Sequence, residues 1–146
     1  MRVLIQRCKS ASIKVDSKEI AKINHGLLVF VGFCKTDTKE SVKQLVNKIV
    51  NIRIFADQNN LTNLSIKDVN GEILSVSQFT LYADTKKGNR PSFTNALDPI
   101  AAKKLYDLFN EELRKTGIPI QIGEFGADVE VELINDGPFT IMLESN

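Results

Sequence analysis

Hydrophobic and polar positions along the chain follow a period of two over most of its length and switch to a helical period in two places. Val3 to Arg7 is mostly apolar, and Ser12-Ile13-Lys14-Val15-Asp16 alternates. Ile13 and Val15 then face a core while Ser12 and Lys14 face water, which is the signature of a strand. Asp16-Ser17 supplies a turn, Glu19 to Ile23 returns as a second strand, and Asn24-His25-Gly26 supplies the next turn. Leu27 to Phe33 is apolar apart from Gly32 and predicts a central strand covered on both faces. Glu72 to Leu81 reads as a further strand. So do Val129, Val131 and Leu133, alternating with Glu130 and Glu132, and finally Phe139 to Leu143.

Two segments carry the helical period. Val42, Leu45, Val46, Ile49 and Val50 fall at i, i+3, i+4, i+7 and i+8, one apolar stripe. Asp37 is placed to cap that helix, with Glu40 completing a capping box. Asp98-Pro99 opens the second helix as an N-cap followed by proline at the first helical position. Leu105, Leu108, Phe109 and Leu113 predict its buried face, and Gly117 its stop. The polar stretch from Gln58 to Asn70 suits a loop or hairpin end. The pattern as a whole predicts one mixed α/β domain, residues 1–146, with a mostly antiparallel sheet or barrel and two packed helices.

Composition narrows the chemistry. The 146 residues suffice for one core, and 42% hydrophobic content is too high for a disordered chain. Two cysteines, Cys8 and Cys34, cannot build a disulfide framework or a four-cysteine zinc site, and both read as small core residues. The single histidine, His25, lies in a turn and reads as a surface residue. It is the only candidate base for a Ser–His or Cys–His couple. An enzyme of this composition is expected to work without histidine, structural metal or cofactor. The formal net charge of +1 argues against coating nucleic acid by bulk charge. No signal-peptide pattern and no apolar run of roughly 20 residues is present, so a soluble cytoplasmic protein is expected, without a membrane partner.

Three segments are unusual for structure alone. Ser77-Gln78-Phe79-Thr80-Leu81 places polar side chains inside an apolar strand, which fits either a half-exposed edge strand or a strand end facing a pocket. Asn135-Asp136-Gly137-Pro138-Phe139-Thr140 reads by default as a tight turn between two strands, with a cis Gly-Pro bond as the rarer alternative. Lys86-Lys87-Gly88-Asn89-Arg90-Pro91-Ser92-Phe93 gathers three cations within five residues. That run is either a solvated loop or a phosphate-facing one, and Phe93 fits the core better than a stacked base. Gly123-Glu124-Phe125-Gly126 lacks the spacing of a dinucleotide site.

The first two segments together resemble the motif pair of the D-aminoacyl-tRNA deacylases. Met1-Arg2-Val3-Leu4-Ile5-Gln6-Arg7, Asn51-Ile52-Arg53-Ile54-Phe55, Tyr82-Ala83-Asp84-Thr85 with the cationic run, and Phe125-Gly126-Ala127 agree in order along the whole chain. The resemblance implies a homodimeric α/β protein that hydrolyses the ester joining a D-amino acid, or mischarged glycine, to the 3′-terminal adenosine of tRNA. It implies that Gly137-Pro138 is cis and reaches across the dimer into the partner's site, excluding an L side chain through its main-chain carbonyls. Ser77, Gln78, Phe79 and Thr80 carry over as the catalytic floor, an oxyanion and positioning surface with Thr80 as a candidate nucleophile. Lys86, Lys87 and Arg90 suit acceptor-stem phosphates, which makes the partners D-aminoacyl-tRNA and glycyl-tRNA rather than DNA. Phe139 departs from the smaller aliphatic residue many relatives carry, and is expected to pack under the dipeptide. The alternatives are a non-catalytic RNA- or nucleotide-binding homologue, and a paralogue that removes a mischarged L-amino acid.

Overall fold

A computed structural model describes residues 1–145; Asn146, the far bound of the expected domain, lies outside the described residues. The organising element is β1 (Arg2–Val15). The two short strands expected near the N-terminus are one strand, because Lys9 is taken up as the extra residue of a bulge while Cys8 and Ser10 on either side of it stay paired. Asp16 and Ser17, both at positive φ, turn the chain into β2 (Lys18–Ile23). β1 pairs antiparallel with β2, with β3 (Gly26–Gly32) and with β8 (Glu130–Glu144). From β3 onward the sheet is parallel: β3 pairs with β6 (Glu72–Ser77), and β6 with β7 (Ile120–Ile122). The sheet is thus mixed. β4 (Phe55–Ala56) and β5 (Thr62–Leu64) form a separate hairpin whose tip is held by Asp57, which accepts from the Asn59 and Leu61 N–H groups.

Two apolar clusters explain the shape. Leu27, Val29 and Val31 of β3 and Ile73 of β6 point to one side, where α1 (Lys39–Asn51) and α2 (Pro99–Lys115) cover them. Leu28 and Leu74 point to the other side with Cys8, Ile13, Ala21 and Ile23. β2 curls back against β6 and β7, so the sheet closes nearly into a barrel around this second cluster. Burial on both faces is why Leu27 to Val31 of β3 read as a continuous apolar run.

All five stripe residues of α1 are buried, as the period predicts. Its cap, however, is Thr38, whose hydroxyl accepts from Glu40 and Ser41, while the Ser41 hydroxyl accepts from the Thr38 N–H. Asp37 is unavailable because its carboxylate accepts from the Cys34 N–H at 2.7 Å and pairs with the amino group of Met1. Asp98 caps α2 as expected. The buried face of α2 is centred on Ala102, Tyr106, Phe109, Asn110 and Leu113, and Leu105 and Leu108 are only half-buried. The rotation follows from Tyr106, whose hydroxyl donates to the Ser75 carbonyl at 2.9 Å and so satisfies the interior of β6. Burial pushes the Tyr106 hydroxyl pKa above its ordinary value. Cys8 is fully buried, and desolvation raises its thiol to about 11, which keeps it protonated and unreactive at neutral pH. Cys34 is not a core residue; it lies half-buried at the end of the sheet beside Thr36. No helix among the described residues is long and apolar enough to cross a membrane.

Candidate active site

The strand predicted over Glu72 to Leu81 ends at Ser77. Gln78 still donates its N–H to the Val31 carbonyl at 2.7 Å, continuing the ladder by one step. The chain then winds into a 3-10 helix, Phe79–Tyr82. The polar segment is therefore a strand end facing a pocket, and the edge-strand reading is overturned: the backbone leaves the sheet here, so no alternation of faces exists. The cavity beside it measures about 690 Å³ and spans the ends of β3 and β6, the start of α2 and the segment Gly123 to Val129. That volume lies within the roughly 300–1,000 Å³ of small-molecule sites.

The 3-10 helix is gripped on two sides. Arg2 donates from Nη1 to the Leu81 carbonyl at 2.9 Å, stacks over the Tyr82 ring at 4.8 Å and is held by Glu144 at 2.7 Å. On the other side Gly32 allows β3 to approach so closely that a Cβ there would lie 2.8 Å from the Gln78 carbonyl oxygen and 3.1 Å from Leu81 Cβ. Tyr82 turns away from the cavity, and burial together with a hydrogen bond to Cys34 pushes its pKa well above the ordinary value.

Ser77, Gln78 and Phe79 line the cavity, whereas Thr80 does not. The Thr80 hydroxyl accepts a hydrogen bond from Gln78 Nε2. His25 precedes β3 while the cavity lies at the strand's other end, a separation of about 20 Å at strand rise. Its ring is exposed and meets Phe55 edge-on at 5.1 Å. The opposite wall is formed by Phe125-Gly126-Ala127, with Gly126 at positive φ and Phe125 against Tyr106. Three carboxylates, Asp98, Glu124 and Asp128, also border the space. Among the described residues no group of three or more His, Cys, Asp or Glu side chains is gathered to hold a metal ion.

Gly137-Pro138 is a cis peptide, and it does not sit in a turn between two strands. β8 runs continuously through it, and Gln6 pairs with Thr140 while Cys8 pairs with Asn135. Arg7 alone therefore stands opposite the four residues Asp136 to Phe139. The default turn reading fails because Arg7 fills the gap: Nε donates to the Asp136 carbonyl at 3.0 Å, Nη1 donates to the Ile54 carbonyl, and the guanidinium lies 4.8 Å over the Phe139 ring. Asn135 closes the neck of the bulge by accepting from the Phe139 N–H at 2.7 Å. Phe139 is half-buried and packs against its own core, away from the cavity lining. Gly137 and Pro138 are exposed and line no part of the cavity of their own chain.

Lys86, Lys87 and Arg90 are exposed in a loop closed by a bridge between Asp84 and Ser92. Phe93 is not in the core, as 38% of its surface remains open. Arg2, Arg7 and Gly32 escaped the sequence reading. The usable signals were a basic residue inside an apolar strand, twice, and the single glycine interrupting the Leu27 to Phe33 run.

A cavity of small-molecule size, lined by aromatic, polar and acidic residues at the ends of β3 and β6, opens on a nearly closed mixed α/β barrel. Residues 4–144 match the family described as D-Tyr-tRNA(Tyr) deacylase, and the chain belongs to that family. It is similar to proteins named D-aminoacyl-tRNA deacylase from Lactobacillus gasseri, at 54% identity, and Limosilactobacillus reuteri, at 51%, each covering 99% of both sequences. Among solved structures it is similar to one described as c-Myc DNA Unwinding Element Binding Protein, with a TM-score of 0.95, 40% identity and coverage of 100% of this chain and 99% of that one. It also resembles in fold a probable eukaryotic D-amino acid tRNA deacylase, with a TM-score of 0.82 and 20% identity over 98% of both chains.

Proposed function

We propose that this protein hydrolyses the ester between a D-amino acid, or mischarged glycine, and the 3′-terminal adenosine of tRNA, in the cytoplasm. Family membership across residues 4–144 is the observation that carries the reading, and the cavity chemistry supports it. An ester is already an activated acyl group, so positioning and an oxyanion site can replace a strong nucleophile. The first N–H groups of a 3-10 helix have no partner inside the helix. Those of Phe79 and its neighbour then meet the developing oxyanion, and water attacks with help from the ribose 2′-hydroxyl. Asp98, Glu124 and Asp128 have the sign to attract the substrate's α-ammonium group, and Lys86, Lys87 and Arg90 the sign to meet phosphates.

Chiral selection requires a second copy of the chain. Gly137-Pro138 lies outside the cavity of its own chain, so it acts in the cavity of a partner protomer, where its main-chain carbonyls leave no room for an L side chain. Glycine, with no side chain, escapes that test. β8 supports such an assembly: its outer edge is unpaired among the described residues, and Ile134 and Met142, on either side of the dipeptide, are 59% and 45% exposed.

The experiment is ester loss from D-aminoacyl-, glycyl- and L-aminoacyl-tRNA. Turnover of the first two with the L form spared is expected; no turnover of any sinks the reading. A second reading, nucleic-acid binding without turnover, draws on the name of the 40% identical relative and is the one left standing by that result.

Thr80→Ala is expected to retain most of the deacylation rate. The Thr80 hydroxyl receives a donor from Gln78 rather than facing a base, and it lies off the cavity lining. Single-turnover ester cleavage measures this; a fall of about 10³-fold or more would assign the attack to Thr80 itself.

A further inference from the structure

Large aromatic side chains normally bury most of their surface. Phe33, Phe55 and Phe109 do so, each 3% exposed or less. Phe79 and Phe93 do not: they remain 57% and 38% exposed, and both stand on the wall of the cavity. Their rings meet edge to face, with centroids 5.0 Å apart at 68°. In this geometry the edge of one ring covers one face of the other, and the surface that stays exposed on both rings is available to a third aromatic system. Pairing within the chain therefore does not account for their exposure.

Their position in the backbone ties them to the cationic loop. Asp84 and Ser92 exchange main-chain hydrogen bonds at 2.7 and 2.9 Å, and the Lys86 N–H donates to the Asp84 carboxylate at 3.0 Å. Lys86, Lys87 and Arg90 occupy the segment between those ends, and Phe93 follows immediately after Ser92. One rigid neck thus carries charge at its tip and an aromatic ring at its foot. Cations beside an exposed aromatic face are the two contacts an unpaired nucleic-acid strand needs, one for phosphate and one for base.

We propose that Phe79 and Phe93 form a stacking platform for an unpaired base of the RNA strand just preceding the terminal adenosine, with its phosphates directed toward Lys86, Lys87 and Arg90. This rests on the reading of the cavity as the site for an aminoacylated RNA end: if the terminal nucleotide enters the cavity, the strand must leave across its rim, where the two rings stand. Stacking uses the π face that every base offers, so the platform accepts any base at that position.

The test is binding of deacylated tRNA, and of the same tRNA made abasic at the nucleotide before the terminal adenosine, followed by fluorescence anisotropy at fixed low salt. Wild-type protein is expected to lose about 10-fold in affinity on the abasic RNA. Phe93→Leu, which keeps apolar volume, is expected to lose about as much on the intact RNA and nothing further on the abasic one. Phe93→Tyr is expected to bind like wild type. Thermal unfolding of each variant checks the fold, and the abasic comparison on unmodified protein stands even if a variant fails to fold. Equal binding of intact and abasic RNA by wild type overturns the platform. A Phe93→Leu loss that persists on abasic RNA overturns it as well. Ester cleavage measured in parallel separates the two readings. Cleavage without a platform effect removes the platform alone, and a platform effect without cleavage of any aminoacyl-tRNA removes the hydrolase reading alone.

Discussion

Replacing Gly32 with alanine is expected to lower the deacylation rate constant by about 10²-fold in a protein that still folds. The added methyl group would sit 2.8 Å from the Gln78 carbonyl oxygen and 3.1 Å from Leu81 Cβ. The first of these is main chain, so the 3-10 helix must shift as a body. Arg2 resists that shift through its hydrogen bond to the Leu81 carbonyl. The helix is one short turn at the protein surface, so the global cost stays near the 1–3 kcal/mol typical of overpacking. Its N–H groups, by contrast, must meet an oxyanion within a few tenths of an ångström, and a misplacement of about 1 Å costs on the order of 10² in rate. Single-turnover cleavage of D-aminoacyl-tRNA, with denaturant unfolding alongside, measures both quantities. A rate constant within about threefold of wild type would mean that the 3-10 helix does not position the reaction.

Gly26→Ala is expected to have the largest effect on stability, about 4 kcal/mol, visible as a fall in melting temperature of about 10 °C or more. Gly26 sits where β1, β3 and β6 meet, paired with Cys8 on one side and Glu72 on the other. A Cβ there would fall 1.9 Å from the Glu72 carbonyl oxygen and within 2.8 Å of two further main-chain atoms of Glu72. The two strands would have to separate, breaking the parallel ladder at its start. Gly71→Ala is the informative comparison, because its Cβ would meet a side-chain atom, Cγ1 of the buried Ile66, at 2.8 Å and main chain no nearer than 3.4 Å, so no strands have to separate. A loss of about 1 kcal/mol is expected there. Equal losses at the two positions would show that strand separation is not what limits Gly26.

The helices and the interior of the sheet were legible because their signals are local. The α1 stripe, the Asp98-Pro99 start of α2 and the Asp16-Ser17 turn each lie within a few residues and depend on little else. The continuity of β1 and β8 was hidden because a bulge looks like a turn when only one strand is read. What makes Asp136 to Phe139 a bulge is Arg7, more than a hundred residues earlier, supplying hydrogen bonds that a tight turn would have made for itself. The site divides in the same way. Its motif residues stand out because polar side chains interrupt an apolar run. Their supports do not, since Gly32 acts by the absence of a side chain and Arg2 by reaching a carbonyl on another element. Thr38 displaced Asp37 as a cap for a comparable reason: the carboxylate was already engaged by Cys34 and the amino group of Met1, contacts that no spacing rule contains.

The pairing of β1 with β8 has a consequence for how the molecule is made. Arg2 and Glu144, which bond to each other in that pairing, are 142 positions apart. Closing so long a loop is entropically costly and comes late, which places the fold on the slow side of the relation between topology and folding rate. During synthesis, β1, β2 and β3 can associate early, but β1 keeps one edge open until β8 has left the ribosome. The segment proposed to judge chirality lies in β8, which follows every other strand of this sheet, so a nascent chain cannot display it before the rest of the sheet exists.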